Sequence, residues 1–196
     1  MLKEKLKNHN LILASGSPRR HHFFKELDLD FTIDVRSVEE VYDHNLKEAE
    51  ITDYLAKLKA SVFTDLKEND ILVTSDTIVW KDGKPLEKAK DEAEAKAMLR
   101  DLSGEMHEVF TSVCFTGKDF QKVVNDRTKV WFKELTDEEI EYYIKTCQPY
   151  DKAGSYGVQE WLGYIGIEKL EGCYFNVMGL PTRLVYKTLL EISEKR

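Results

Sequence analysis

The segment that most constrains this chain is its first apolar one. Leu11-Ile12-Leu13-Ala14 has the length and composition of a short buried strand, Ser15-Gly16-Ser17 is a tight turn of small residues, and Pro18 suits the first position of a helix with Ser17 as its cap. A strand handed directly to a helix is the first step of an α/β order of elements. The helix is expected to run through Arg19 to about Leu27, with Phe23, Phe24 and Leu27 on one side.

The rest of the chain continues that order. Phe31 to Val35 alternates like a strand, and Thr52 is expected to open a helix bearing Leu55, Leu58, Val62 and Leu66 at helical spacing. Ile71 to Trp80 reads as a strand interrupted by the polar run Thr74-Ser75-Asp76-Thr77, with a turn at Asp82-Gly83. Asp91-x-x-Glu94 opens a helix that Gly104 stops. Val109 to Phe115 and Val123 to Phe132 form a hairpin pair joined near Gly117, and Thr136-x-x-Glu139 is a capping box for a helix to about Cys147. Pro149 to Gly163 is expected as loop, Tyr164 to Leu170 as strand, and Pro181 as the start of a last helix whose Leu184, Val185, Leu189 and Ile192 face a core. The fold class is therefore α/β with a mixed sheet and flanking helices.

Composition limits the function classes. The 196 residues suffice for one sizeable core or for two lobes sharing a sheet, so residues 1–196 are expected to form a single domain. A hydrophobic fraction of 42% and a charged fraction of 33% are those of a folded protein. The net charge of −7 speaks against a nucleic-acid coat, though it leaves room for a local anion site. No apolar run approaches the roughly 20 residues that span a bilayer, and the run at Leu11 is too short for a secretory core, so a cytoplasmic protein is expected. Cys114, Cys147 and Cys173 are odd in number and widely spaced, which fits reduced thiols rather than disulfides or a zinc site. His21 and His22 are expected to face solvent or pack locally on the first helix.

Four places carry chemistry. At Ser15 to Arg20, backbone N–H groups and a helix start make an anion cradle, and two arginines in the first turn oppose the helix dipole unless an anion lies between them. A capped helix with two solvated arginines has the same local pattern. Asp76 sits in an apolar strand, where a carboxylate requires either hydrogen-bond partners or a functional role. Glu39-Glu40 offers a second carboxylate that would complete a magnesium site with water and phosphate oxygens, or is a solvated loop end. The stretch Tyr150 to Gln159 has two glycines among Asp, Lys and Gln, a shaped wall in which Gln159 offers both a donor and an acceptor to a base edge. Lys57, Lys59, Lys84 and Lys88 are surface lysines unless they converge on the cradle.

Taken in register, LILASGSPRR (11–20), Glu39-Glu40, LAKLKA (55–60), SDTIV (75–79), LEK (86–88), LSGEMH (102–107), DKAGSYGVQ (151–159) and GCYFNVMGLP (172–181) resemble the Maf family of nucleotide pyrophosphatases. That family is similar in fold to inosine triphosphate pyrophosphatases, which implies an elongated mixed sheet with flanking helices and two lobes around a cleft. The resemblance implies that Asp76 is the catalytic proton acceptor and that Glu40, with Asp76, helps hold a divalent cation, Mg²⁺ or Mn²⁺. It places Ser15, Arg20, Lys59 and Lys88 around the phosphates and ties Arg19, Thr77 and Gln159 to substrate choice.

Arg19-Arg20 after the proline matches the branch linked to dTTP and UTP, whereas a sister branch with a bulky aromatic in place of the first arginine prefers 7-methyl-GTP. The implied reaction cleaves a pyrimidine nucleoside triphosphate to monophosphate and pyrophosphate. The implied partners are a small nucleotide and a second copy of the chain in a homodimer, without nucleic acid or membrane. A purine or 7-methyl-GTP pyrophosphatase and a non-enzymatic nucleotide-binding regulator of cell division remain as alternatives. Two departures bear on the details: Ala89 follows Lys88 where proline is common, and Glu160-Trp161-Leu162 follow Gln159 where a Gly-rich stretch is frequent.

Overall fold

The expected strand around Asp76 is almost wholly buried. In the computed structural model, which describes residues 1–194, it spans Asp70–Lys81, and all of its residues but Thr77 are buried. A strand that is apolar at successive positions belongs inside a sheet covered on both faces.

In chain order the elements are α1 (Leu2–Lys5), β1 (Asn10–Leu13), α2 (Pro18–Glu26), β2 (Thr32–Ile33), α3 (Ala49–Ser61), β3 (Asp70–Lys81), β4 (Lys84–Leu86), α4 (Glu92–Leu102), β5 (Met106–Thr116), β6 (Gln121–Phe132), α5 (Asp137–Cys147), a short 3₁₀ turn (Pro149–Asp151), α6 (Trp161–Gly166), β7 (Ile167–Glu171), α7 (Tyr174–Val177) and α8 (Thr182–Ser193). The sheet runs β2-β1-β3-β5-β6-β7, with β4 paired to β3. β1 lies parallel to β2 and β3, with Leu11 opposite Ile71 and Leu13 opposite Val73. β4 is antiparallel to β3, and β7 to β6. The mixed α/β sheet with flanking helices read from the sequence is thus the fold. Parallel neighbours need crossover connections, and α2 and α3 provide them between β1, β2 and β3.

The chain divides into two compact units. One comprises residues 1–76, 111–126 and 179–196, the other 77–110 and 127–178. In the first, Ala56, Ala60 and Phe63 from α3 and its end pack with Leu72 and Cys114. In the second, α4 buries Ala95, Leu99 and Leu102, and α5 buries Ile140, Tyr143 and Ile144, against Val79, Val109, Val130, Phe132 and Leu162. Each fully buried leucine there contributes roughly 1.5–3 kcal/mol. α5 begins at the expected capping box: Thr136 Oγ1 accepts from Glu139 N–H, and the Glu139 carboxylate accepts from Thr136 N–H. Among the described residues no helix is long and apolar enough to cross a membrane, and the three cysteines are free.

Some boundaries differ from the sequence reading, each for a local reason. β2 is only Thr32–Ile33 and exposed, because the chain then leaves the sheet edge, where Arg36 pairs with Asp34 and Asp65. α3 starts at Ala49, three residues before Thr52. Thr52 is wholly buried, and its hydroxyl meets the Ala49 carbonyl and Ser112 instead of capping a helix. The helix stops at Ser61, so Leu66 is not on it. Tyr164 belongs to α6 rather than to a strand. There the chain folds back so tightly that a side-chain carbon on Gly163 would lie 1.9 Å from the Val158 carbonyl oxygen. The short helices α1 and α7 carry no periodic signal of their own.

Candidate active site

The site grows from the turn after β1. Ser17 stands at the N-cap position of α2, but its side chain caps nothing; its N–H donates instead to Ser15 Oγ at 3.2 Å. Ser15 is buried, and the His21 ring lies against its carbonyl, so His21 packs locally as expected while His22 is mostly exposed. Arg20, one turn along α2, is partly buried. Its Nε donates to the Gly179 carbonyl at 2.8 Å, and one terminal nitrogen donates to the Ser75 carbonyl at 2.9 Å and to Ser15 Oγ at 3.5 Å. Loss of water pushes its pKa down to about 10, the Asp76 charge opposes that, and Arg19 adds to it. Arg20 therefore remains a cation at neutral pH. Arg19 occupies the first turn of α2, partly exposed.

Asp76 lies mid-strand on β3 and is buried. The Lys59 ammonium, from the last turn of α3, is 2.6 Å from Asp76 and 3.0 Å from Glu40. The loop that carries Glu40 and the helix that carries Lys59 thus converge on the strand that carries Asp76. Burial holds the Asp76 carboxyl above the usual carboxylate range; Lys59 and then Arg20 pull it back, while Glu40 adds to the rise. Burial and two nearby cations thus act on the Asp76 carboxyl in opposite directions. Of the two readings of Asp76, satisfied by backbone and Thr77 or functional, the structure adds a charged hydrogen-bond partner, Lys59, with the Arg20 and Glu40 charges nearby. Among the described residues no cluster of three or more His, Cys, Asp and Glu gathers to hold a metal. Glu40 and Asp76 do face one shared cation, the Lys59 ammonium, and their oxygen donors suit a hard divalent ion.

Ser15, Arg20, Glu40, Lys59 and Asp76 all belong to the first unit. Thr77, the next residue along β3, begins the second, which also holds Lys88 and Gln159. Lys88 is exposed and forms an antiparallel bridge with Ala153, and the Glu87 carbonyl accepts from Gly154 N–H at 3.1 Å. The LEK segment and the DKAGSYGVQ loop are therefore laid side by side. Gly154 has φ +67°, and a side-chain carbon there would sit 2.9 Å from Val79 Cγ2, so the motif requires glycine at this point.

The sequence reading passed over the supports of this loop. His107 Nε2 lies 2.7 Å from the Tyr156 hydroxyl, and the His107, Phe132 and Tyr156 rings meet edge to face with centroids 5.0–5.3 Å apart. The Tyr143 hydroxyl accepts from Gly157 N–H at 2.9 Å and donates to the Glu160 carboxylate. His107 ends the LSGEMH segment, which was a signal in itself; Tyr143, inside an amphipathic helix, reads as an ordinary core residue.

The family model described as Maf-like protein matches residues 10–192. A protein of Christiangramia forsetii named dTTP/UTP pyrophosphatase is 61% identical over 98% of this chain and 98% of its own. One of Flavobacterium johnsoniae with the same name is 57% identical over 96% of this chain and 98% of its own. Among solved structures, a HAM1 protein from Coxiella burnetii superposes with a TM-score of 0.52 at 13% identity, covering 93% of this chain and 99% of its own, a likeness of fold.

Proposed function

The chain belongs to the Maf-like protein family, and from that premise we propose that it is a nucleoside triphosphate pyrophosphatase acting on dTTP and UTP. The single observation that carries the reading is the buried Asp76 held between Lys59, Arg20 and Glu40, beside the turn that leads into α2. Asp76 orients a water and takes its proton. The water oxygen bonds to the α-phosphorus, the bond from that phosphorus to the oxygen bridging the β-phosphorus breaks, and pyrophosphate leaves with the electron pair. Lys59 and the α2 end offset the charge that gathers on the phosphates, and the family resemblance assigns Ser15, Arg20 and Lys88 to phosphates as well. Glu40 and Asp76 would hold a divalent cation, Mg²⁺ or Mn²⁺, which would supply Lewis-acid neutralisation when bound. Arg19, Thr77 and Gln159 are assigned to the choice of base. A homodimeric assembly and a cytoplasmic setting belong to the same proposal.

The test is pyrophosphate release from a panel of canonical and modified nucleoside triphosphates, with Mg²⁺, with Mn²⁺ and with chelator. Metal-dependent release from dTTP and UTP, with little from purines, is the expected result. Release from purines or 7-methyl-GTP alone would keep the reaction and overturn the base assignment. Tight nucleotide binding without release would replace the enzyme by a nucleotide-binding regulator.

A further inference from the structure

Gln159 sits in a loop that the second unit holds unusually hard. Gly154 and Ser155 both have left-handed backbones, at φ +67° and +56°, and Ser155 is a wholly buried non-glycine residue in that conformation. Such geometry persists only where the surroundings over-determine it. Three sets of contacts do so. His107 meets the Tyr156 hydroxyl from below. Tyr143, fully buried on α5, takes the Gly157 N–H two residues before Gln159 and gives its own hydroxyl proton to Glu160, one residue after it. Glu160 is in turn 2.9 Å from the Lys152 ammonium, itself nearly buried, so the carboxylate ties the beginning of the loop to its end. The Glu160 carboxylate also fills the space over Gly157, where a side-chain carbon would stand 2.8 Å from Glu160 Cδ.

A glutamine amide has both a donor and an acceptor. Left free to turn, it accommodates cytosine, whose donor and acceptor positions are exchanged relative to uracil, as readily as uracil. Discrimination requires the chain on both sides of it to be fixed. We propose that Tyr143 and Glu160, with Lys152, form a clamp that positions Gln159 and so sets the preference of the site for uracil and thymine over cytosine. Glu160 opens the Glu160-Trp161-Leu162 segment that stands where a Gly-rich stretch is frequent. The departure thus adds a support for Gln159. The proposal rests on the reading of Gln159 as the group that meets the base.

The test is kcat and KM for UTP and CTP in the full chain and in Gln159→Ala, Tyr143→Phe, Glu160→Gln and Glu160→Ala, with thermal melts of each. Gln159→Ala is expected to reduce the UTP/CTP ratio of kcat/KM. Tyr143→Phe is expected to reduce it to a similar extent, about tenfold for a loss of hydrogen-bonded positioning, chiefly through KM for UTP. Combining Tyr143→Phe with Gln159→Ala is expected to add little, because one function is lost twice. Glu160→Gln, which still accepts from Tyr143, is expected to retain more selectivity than Glu160→Ala. A Tyr143→Phe or Glu160→Ala protein whose rate falls equally on UTP and CTP overturns the clamp and leaves Gln159 as the base reader. A Gln159→Ala protein with unchanged selectivity overturns the reading of Gln159 and the clamp with it. Should Tyr143→Phe fail to fold, the two Glu160 variants decide the matter by the same ratio.

Discussion

At the scale of single residues, Asp76 and Arg20 have different partners although both stood out in the sequence. Asp76 has a charged partner that survives its replacement, since Lys59 keeps Glu40 at 3.0 Å. Asp76→Asn is therefore expected to leave the melting temperature nearly unchanged and to lower kcat by roughly 10²–10⁴, the range ascribed to a positioned proton acceptor. Turnover at the rate of the unmodified protein in a folded Asn variant removes Asp76 from the chemistry. Arg20 instead donates to the backbone carbonyls of Gly179 and Ser75. Arg20→Met leaves those acceptors without this donor, at about 1–3 kcal/mol each where water does not replace it. A melting temperature lower by on the order of 5 °C or more is expected, a larger drop than in Arg19→Ala. Equal melting temperatures for the two would make Arg20 a phosphate ligand alone. This difference in partners was not legible in the sequence. An arginine beside a helix start looks the same whether it serves an anion or two carbonyls, and the carbonyls it serves lie 55 and 159 residues away.

At the scale of elements, the legible parts are those whose signal is local. β1, the proline start of α2, β3, the β5–β6 pair and the capping box of α5 each follow from neighbouring residues, and the structure has them. β2 and the start of α3 were misplaced because distant partners decide them, Asp65 for the chain after β2 and Ser112 for Thr52, whereas α6 was misplaced because a close backbone approach, Gly163 against the Val158 carbonyl, leaves no periodic signal. The candidate site divides the same way. Asp76 and the turn at Ser15 to Arg20 were visible as patterns, whereas the pairing of Lys59 with both carboxylates needed the packing of α3 against β3. The DKAGSYGVQ loop shows how far a local signal reaches, for its first glycine is required by both φ and space. Gly154→Ala is expected to cost about 1–3 kcal/mol from the left-handed backbone, with the contact to Val79 added. The urea midpoint measures the loss. In a Val79→Ala background the same change is expected to cost less, and additive losses would show that Val79 is not the obstacle.

At the scale of the whole molecule, stability as a function of pH is governed in part by a group outside the candidate chemistry. His107 is buried in the second core between Phe132 and Tyr156, and burial together with the nearby Lys81 charge pushes its pKa down to about 3 from 6.5. Lys81, on β3, is itself paired with Asp82 and Asp101, so the groups around the ring give it no carboxylate of its own. The folded ring stays neutral at pH values where the unfolded ring takes a proton. Between about 6.5 and 3 the unfolded chain therefore binds more protons than the folded one, and stability falls as pH falls. The contribution is complete above 6.5 and is lost at about 1.4 kcal/mol per pH unit below it, so acidification from about pH 7.5 to about pH 5 costs about 2 kcal/mol through this residue alone. Carboxylates held down by cations, such as Asp65 beside Arg36, lose stability in the same direction at lower pH, and a comparison isolates the imidazole. His107→Gln carries no titrating ring; it is expected to be less stable than the unmodified chain at about pH 7.5 and to lose about 2 kcal/mol less on going to about pH 5. Urea unfolding at the two pH values, followed by tryptophan fluorescence, gives both differences. Parallel pH dependence of the two proteins would mean that His107 takes up its proton within the fold as readily as in the unfolded chain, and the acid sensitivity would then belong to the carboxylates alone.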